Sequence, residues 1–243
     1  CYHTDIVNEL EDCDALMWHF SHADSKDFLF AKQLIFALET SGMTVFPNYN
    51  SCWHFDDKIA QKYLFETLKI NAAKAYVFYS KEEAIKWVNN ATFPLVFKLR
   101  SGASSGNVFL VKSKHEAQKK IQKAFKNGFR QINRITGLRD AYTNLLTGKG
   151  SLLKFGQAVG KLTILSGYEK VKGRETGYVY FQNYLPGNSF DIRIIVIGGR
   201  AFGIKRLVRK NDFRASGSGI IIYKRDEIDI KCVELAFNYT EKI

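Results

Sequence analysis

Two apolar runs, FPLVF at 93–97 and NVFLV at 107–111, flank a stretch of glycine and serine, RSGASSG, that can continue neither of them. Strand, flexible loop and strand predict a β-hairpin, and a hairpin is stable only inside a larger sheet or against a helix. Lys98 stands at the mouth of the loop. Gly102 and Gly106 would let backbone N–H groups approach phosphate oxygens, and Ser101, Ser104 and Ser105 add hydroxyl donors. Lys98 would then supply a fixed positive charge to a phosphate. The order excludes a Walker A loop, in which lysine follows the second glycine, and GASSG lacks the spacing of the dinucleotide fingerprint. The alternative reading of the same residues is an ordinary hairpin turn with a snorkelling lysine.

A second cluster lies in DIRIIVIGGRAFGIKRLVRKNDFRASGSG, 191–219. Asp191 and Arg193 are two apart on a strand and therefore share a face. Lys205 and Arg206 fall on the following strand, and Arg214 precedes another glycine-rich loop. Strands seldom carry so many cations without a counter-ion, and a triphosphate is one ligand that could collect them. A sheet face open to water is the other reading.

Around these clusters the chain alternates strand and helix. A strand is expected at 14–20, an amphipathic helix at 25–42 closed by Gly42, and a short strand at 43–48, together a parallel α/β unit. Helices are expected at 56–70, at 80–90 with Ser80 and Glu83 as a capping box, and at 114–125. The 127–176 stretch is the least legible, with helical fragments at 138–148 and 151–165 separated by glycines, and reads as an insertion. Four strand-like runs at 177–185, 189–199, 200–210 and 218–225, joined by short turns, predict one antiparallel meander before a last helix.

The formal charge of +12 favours an anionic partner. Between Lys112 and Arg174 fifteen Lys or Arg face three acids, Glu116, Asp140 and Glu169. Phe125, Phe129, Tyr142 and Phe155 interleave with them, which motivates nucleic-acid binding as a competing reading, although no nucleic-acid motif accompanies it. No apolar run has the length of a membrane helix, so no membrane partner is expected and the default location is the cytoplasm. The four cysteines form no C-x-x-C pair and read as reduced thiols, and the histidines form no metal-spaced set.

In their order, DDK at 56–58, FPLVFKLRSGASSGNV, YFQNYLPGNSFDIRIIVIGG and NDFRASGSG resemble the ATP-grasp superfamily, nearest its RimK-like carboxylate–amine ligases. The resemblance runs from about Asp14 onward. It implies an ATP-grasp fold of mixed α/β and α+β class, with ATP held between two α+β subdomains. The expected division is 1–55 as an N-terminal α/β pre-ATP-grasp subdomain, 56–176 as the lid subdomain with its linker helix, glycine loop and basic insertion, and 177–243 as a partial C-terminal subdomain. Lys58 and Lys98 resemble the two lysines near the nucleotide, Gly102 to Gly106 the flexible lid over its phosphates, and Gln182, Asn183, Tyr184 and Leu185 the hinge that binds the adenine edge. Asp191 joins these nucleotide-binding positions, and Arg193, Lys205, Arg206 and Arg214 resemble the cationic side that contacts the triphosphate or acylphosphate. Asn183 departs from the acidic residue common in the family.

The implied reaction is amide or peptide-like bond formation from a carboxylate, an amine and ATP through an acylphosphate, with Mg²⁺ as cofactor. No E-x-N follows Gly219. The metal ligands are therefore expected beyond residue 243, and the chain, which opens without an initiator methionine, is expected to be an inactive piece of a longer protein. An ATP-binding module without ligase activity is the alternative.

Overall fold

Asp24 accepts hydrogen bonds from the N–H groups of Lys26 and Asp27 and starts the helix Ser25–Thr40. Ala31, Leu34, Ile35 and Leu38 recur at helical spacing and are buried together with Leu16, Val45 and Cys52. Gly42, at φ +92°, ends the helix as expected. The strands on either side, Ala15–Met17 and Thr44–Phe46, pair in parallel with Leu16 opposite Val45. Strand, helix and strand thus form the α/β unit legible in the sequence. The structure is a computed structural model, and it describes every residue except 1, 22, 23, 102–106, 132, 133, 147, 149, 161, 163–165, 210, 211 and 217.

The chain divides into two units, one of Cys1–Ala60, Leu99–Gly102 and Lys123–Gly177, the other of Gln61–Lys98, Ala103–Gln122 and Tyr178–Ile243. In the first, the 127–176 stretch carries the helices Arg134–Leu146, Leu152–Gly160 and Gly167–Lys172 and a short antiparallel ladder of Phe129–Arg130 with Arg174–Glu175. Gly128 makes that ladder possible. At φ +61° its α-carbon lies so near the next strand that an added Cβ would meet the Glu175 carbonyl oxygen at 2.4 Å.

The second unit holds two sheets. Four antiparallel strands stand in the order Ala75–Phe78, Val179–Asn183, Leu95–Lys98 and Val108–Val111. The hairpin of 93–111 is there, with Lys98 opposite Val108. Leu95, Val96 and Phe97 are all buried, as befits a central strand covered on both faces. Trp87, from the helix Lys81–Val88, stacks on Tyr76, Phe78 and Phe181 with ring centroids 4.5, 5.1 and 5.6 Å away. Ser80 caps that helix through the Glu83 N–H, while its hydroxyl donates to the Glu82 carboxylate.

The other sheet is a meander of Phe190–Ile197, Arg200–Leu207 and Ile221–Ile222, flanked by the helix Ile230–Thr240. One expectation is corrected here: Val179–Asn183 does not belong to the meander. Its register sets Phe181 opposite Phe97 in the four-stranded sheet. The Pro186-Gly187 turn releases the chain, and an aromatic partner decides which sheet the strand joins.

Candidate functional site

Lys98 and Gln182 are 84 residues apart in sequence and meet on one face of the four-stranded sheet, where the lysine ammonium donates to the Gln182 amide oxygen. Register explains the meeting. Val96 is opposite Gln182, and Lys98, two residues further along, is its diagonal neighbour on the same face. The Gln182 amide is oriented by its own N–H₂ donating to the Ala73 carbonyl at 3.1 Å. Beyond it, the Asn183 N–H is taken by the Lys74 carbonyl at 2.9 Å. The Tyr184 ring meets Phe213 edge-on at 6.1 Å, and Leu185 is exposed.

In the meander, Asp191 and Arg206 are register partners and form a two-pronged ion pair at 2.8 and 2.6 Å. The carboxylate holds the guanidinium above its ordinary pKa. Arg193 lies on the same face and is exposed, with no ion-pair partner among the described residues. Lys205 points to the opposite face, as its parity next to Arg206 requires. There it pairs with Glu227 at 2.6 Å and sits 4.3 Å over the Phe190 ring. Arg214 is gripped by the Asp212 carboxylate, with contacts of 2.6 to 3.0 Å. Burial pushes the Asp212 carboxyl up, and the Arg214 bonds more than reverse this, leaving it below its usual value.

In the first unit, Lys58 opens the helix Lys58–Thr67, close to the charges of Asp56, Asp57 and Glu175. The Asp57 carboxylate accepts from the N–H groups of Ile59 and Ala60 at 3.0 Å and also grips the Arg100 guanidinium at 2.6 and 2.7 Å. Burial alone would raise the Asp57 carboxyl, but the Arg100 bond and the two N–H donors hold it below the ordinary range. The Lys58 N–H donates to the Arg100 carbonyl at 2.8 Å. Burial pushes the Lys58 ammonium down, against the pull of Asp56, Glu175 and Asp57.

Ser101 is buried, and its hydroxyl donates to Glu175 at 2.7 Å. Gly102, Ser104, Ser105 and Gly106 lie outside the described residues. Sequence reasoning missed Gln131, Tyr168, Lys172 and Glu175, which surround Ser101. The available signal was faint: Glu175 is a rare acid beside a long run of cations.

Among the described residues no group of three or more His, Cys, Asp or Glu side chains is placed to hold a metal ion. No described helix is long and apolar enough to cross a membrane.

No family model and no curated protein matches the chain. Among solved structures it is similar to a carboxyaminoimidazole ribonucleotide synthase from Aspergillus clavatus complexed with ATP, with a TM-score of 0.49 and 13% identity over 95% of this chain and 47% of that one. It is also similar to a RimK domain ATP-grasp protein from Sphaerobacter thermophilus, with a TM-score of 0.42 and 13% identity over 72% and 50%. A D-alanine–D-alanine ligase from Helicobacter pylori matches with a TM-score of 0.42 and 13% identity over 91% and 51%. The chain spans about half the length of each.

Proposed function

We propose that this protein is an ATP-grasp protein whose reaction is ATP-dependent ligation of a carboxylate to an amine. One observation carries the reading: Lys98, at the head of the glycine–serine loop, meets Gln182, at the head of the hinge-like run 182–185, so two motifs far apart in sequence converge on one sheet face. In this reading Lys98 and Lys58 bind phosphate oxygens, and Asp191 with Gln182 to Leu185 serves the nucleoside end. Arg193, with Arg206 held in place by Asp191, stabilises charge on the transferring phosphoryl group. Lys205 and Arg214, paired with Glu227 and Asp212, would have to release those carboxylates to reach a phosphate. The subdomains proposed for this function are 1–55, 56–176 and 177–243, whereas the two compact units divide the chain elsewhere.

The proposed chemistry balances without a side-chain nucleophile. A carboxylate oxygen attacks the γ-phosphorus and the bond to the β-bridging oxygen breaks, giving an acylphosphate and ADP. An amine nitrogen then attacks the acyl carbon, inorganic phosphate leaves, and the nitrogen loses a proton. Alignment and charge neutralisation are the protein's share. Among the described residues no group of three or more His, Cys, Asp or Glu is placed to hold Mg²⁺.

Calorimetric titration with ATP tests the binding, using wild type and Lys98→Ala. Hydroxylamine as the amine tests the ligation, because it converts an acylphosphate to a coloured iron–hydroxamate without knowledge of the natural acceptor. Binding that is lost in the variant, with hydroxamate formed only when ATP and a carboxylate are both present, supports the proposal. No binding at millimolar ATP overturns it, and ATP binding without hydroxamate across a carboxylate panel favours the non-catalytic module.

A further inference from the structure

The 127–176 stretch ends by delivering one carboxylate to the residue that follows Arg100. Glu175 is 9% exposed, and its Oε1 accepts from the Ser101 hydroxyl at 2.7 Å and from the Gln131 amide at 2.9 Å. The Lys172 ammonium is 4.0 Å from the same oxygen. Lys172 itself is fixed by the Tyr168 hydroxyl at 3.0 Å and by the Phe28 ring, 4.7 Å beneath it. Arg100 and Ser101 are therefore held from two directions. Asp57 and the Lys58 N–H hold Arg100, and Glu175 with Gln131 holds Ser101.

We propose that Glu175 is a positioning residue of the nucleotide site, fixing Ser101 and acting as the counter-charge that Lys58 and Lys172 share. The 127–176 stretch thereby sets how well Lys58 holds phosphate. This rests on the nucleotide-binding reading above. The charged groups facing Lys58 are Asp56 and Asp57 from its own turn and Glu175 from the neighbouring ladder. Those facing Lys172 are Glu175, Asp56 and Asp57, with Arg100 opposing. Burial drives both ammonium groups toward their neutral forms, and Glu175 resists this for both. A neutral lysine has lost its charge-assisted bond to phosphate.

The test is calorimetric ATP binding by the full chain from about pH 7.5 to about pH 10.5, a window that brackets a lysine lowered from its ordinary value. Wild-type affinity falls as pH rises through the Lys58 pKa, and Lys58→Met removes that limb. Glu175→Gln keeps the shape and the acceptor oxygen but not the charge. It moves the midpoint of the fall to lower pH and weakens binding about tenfold at the alkaline end. Lys172→Met leaves Glu175 to Lys58 alone and moves the midpoint the other way.

Opposite shifts in these two variants support the inference, because loss of structure alone has no reason to reverse sign. Wild-type midpoints in both overturn it while the nucleotide reading stands. Failure of the wild type to bind ATP overturns the nucleotide reading itself. If thermal melting shows Glu175→Gln unfolded, Lys172→Met decides alone: an upward shift supports the inference and an unchanged midpoint overturns it.

Discussion

Replacing Lys98 with methionine separates the two things its ammonium can do. The side chain is half-buried on a central strand, and methionine keeps most of its apolar stem. What disappears includes the hydrogen bond to the Gln182 amide oxygen and one positive charge. The first loss costs about 1 kcal/mol of stability, which in a chain of this size lowers the melting temperature by about 2–4 °C. The second removes a charge-assisted bond to phosphate of about 1.5–3 kcal/mol, so ATP affinity falls about tenfold to a hundredfold. Gln182→Leu is the control. It breaks the same bond from the other side, together with the bond to the Ala73 carbonyl, and leaves the ammonium in place, so it should lose at least as much stability, while ATP affinity, to which the hinge contributes its backbone, should change by less than about threefold. Calorimetry and thermal melts on both variants decide the matter. Equal losses of affinity would refute the reasoning, because Lys98 would then matter only as a support of the sheet; so would a Lys98→Met protein that binds ATP like wild type.

Three further expectations concern the scaffold. Phe181→Ala empties the centre of the four-stranded sheet between Trp87 and Phe97, whose rings lie 5.6 and 5.5 Å away, and should cost about 3–5 kcal/mol by urea titration. Gly128→Ala places a methyl group 2.4 Å from the Glu175 carbonyl oxygen at a positive φ, and should cost about 1–3 kcal/mol in the same assay. The Asp57 carboxyl is held below its ordinary pKa, so its contribution is complete above about pH 4 and disappears as pH falls through the folded-state value. Melts from about pH 6 down to about pH 2.5 should therefore fall less steeply in Asp57→Asn than in wild type.

The elements that sequence made legible are those whose signal is local. The hairpin of 93–111 shows itself because two apolar runs bracket residues that cannot continue a strand, and the helix at 25–42 because its apolar residues recur every turn. Alternation along 177–185 marks a strand equally well, yet says nothing about which sheet it joins; that depends on Phe97 meeting Phe181. The candidate site divides along the same line. Lys98 and Gln182 were visible through the motifs around them. Glu175, Gln131, Tyr168 and Lys172 were not, because little near them in sequence marks them beyond the rarity of an acid at Glu175, and the approach of Glu175 to Ser101 depends on the space left by Gly128.

The distribution of partners bears on what a net charge of +12 means. A polyanion would need exposed cations that are free to meet it, and its affinity would fall steeply with salt in proportion to the phosphates contacted. Many of the cations are already engaged within the chain. Arg206 faces Asp191, Lys205 faces Glu227, Arg214 faces Asp212 and Lys172 faces Glu175. Even in the basic helix Lys114–Lys126, Lys120 lies 3.5 Å over the Phe109 ring and Lys123 lies 4.7 Å over Phe129, where their charge serves packing. A long polyanion would have to break such contacts one after another. A compact ligand with a few concentrated charges asks less, since exposed Arg193 gives up no ion pair among the described residues and the Gln182 amide that meets Lys98 is uncharged. This asymmetry in what each ligand must displace is the physical reason to prefer a nucleotide over a nucleic acid as the anion this chain meets.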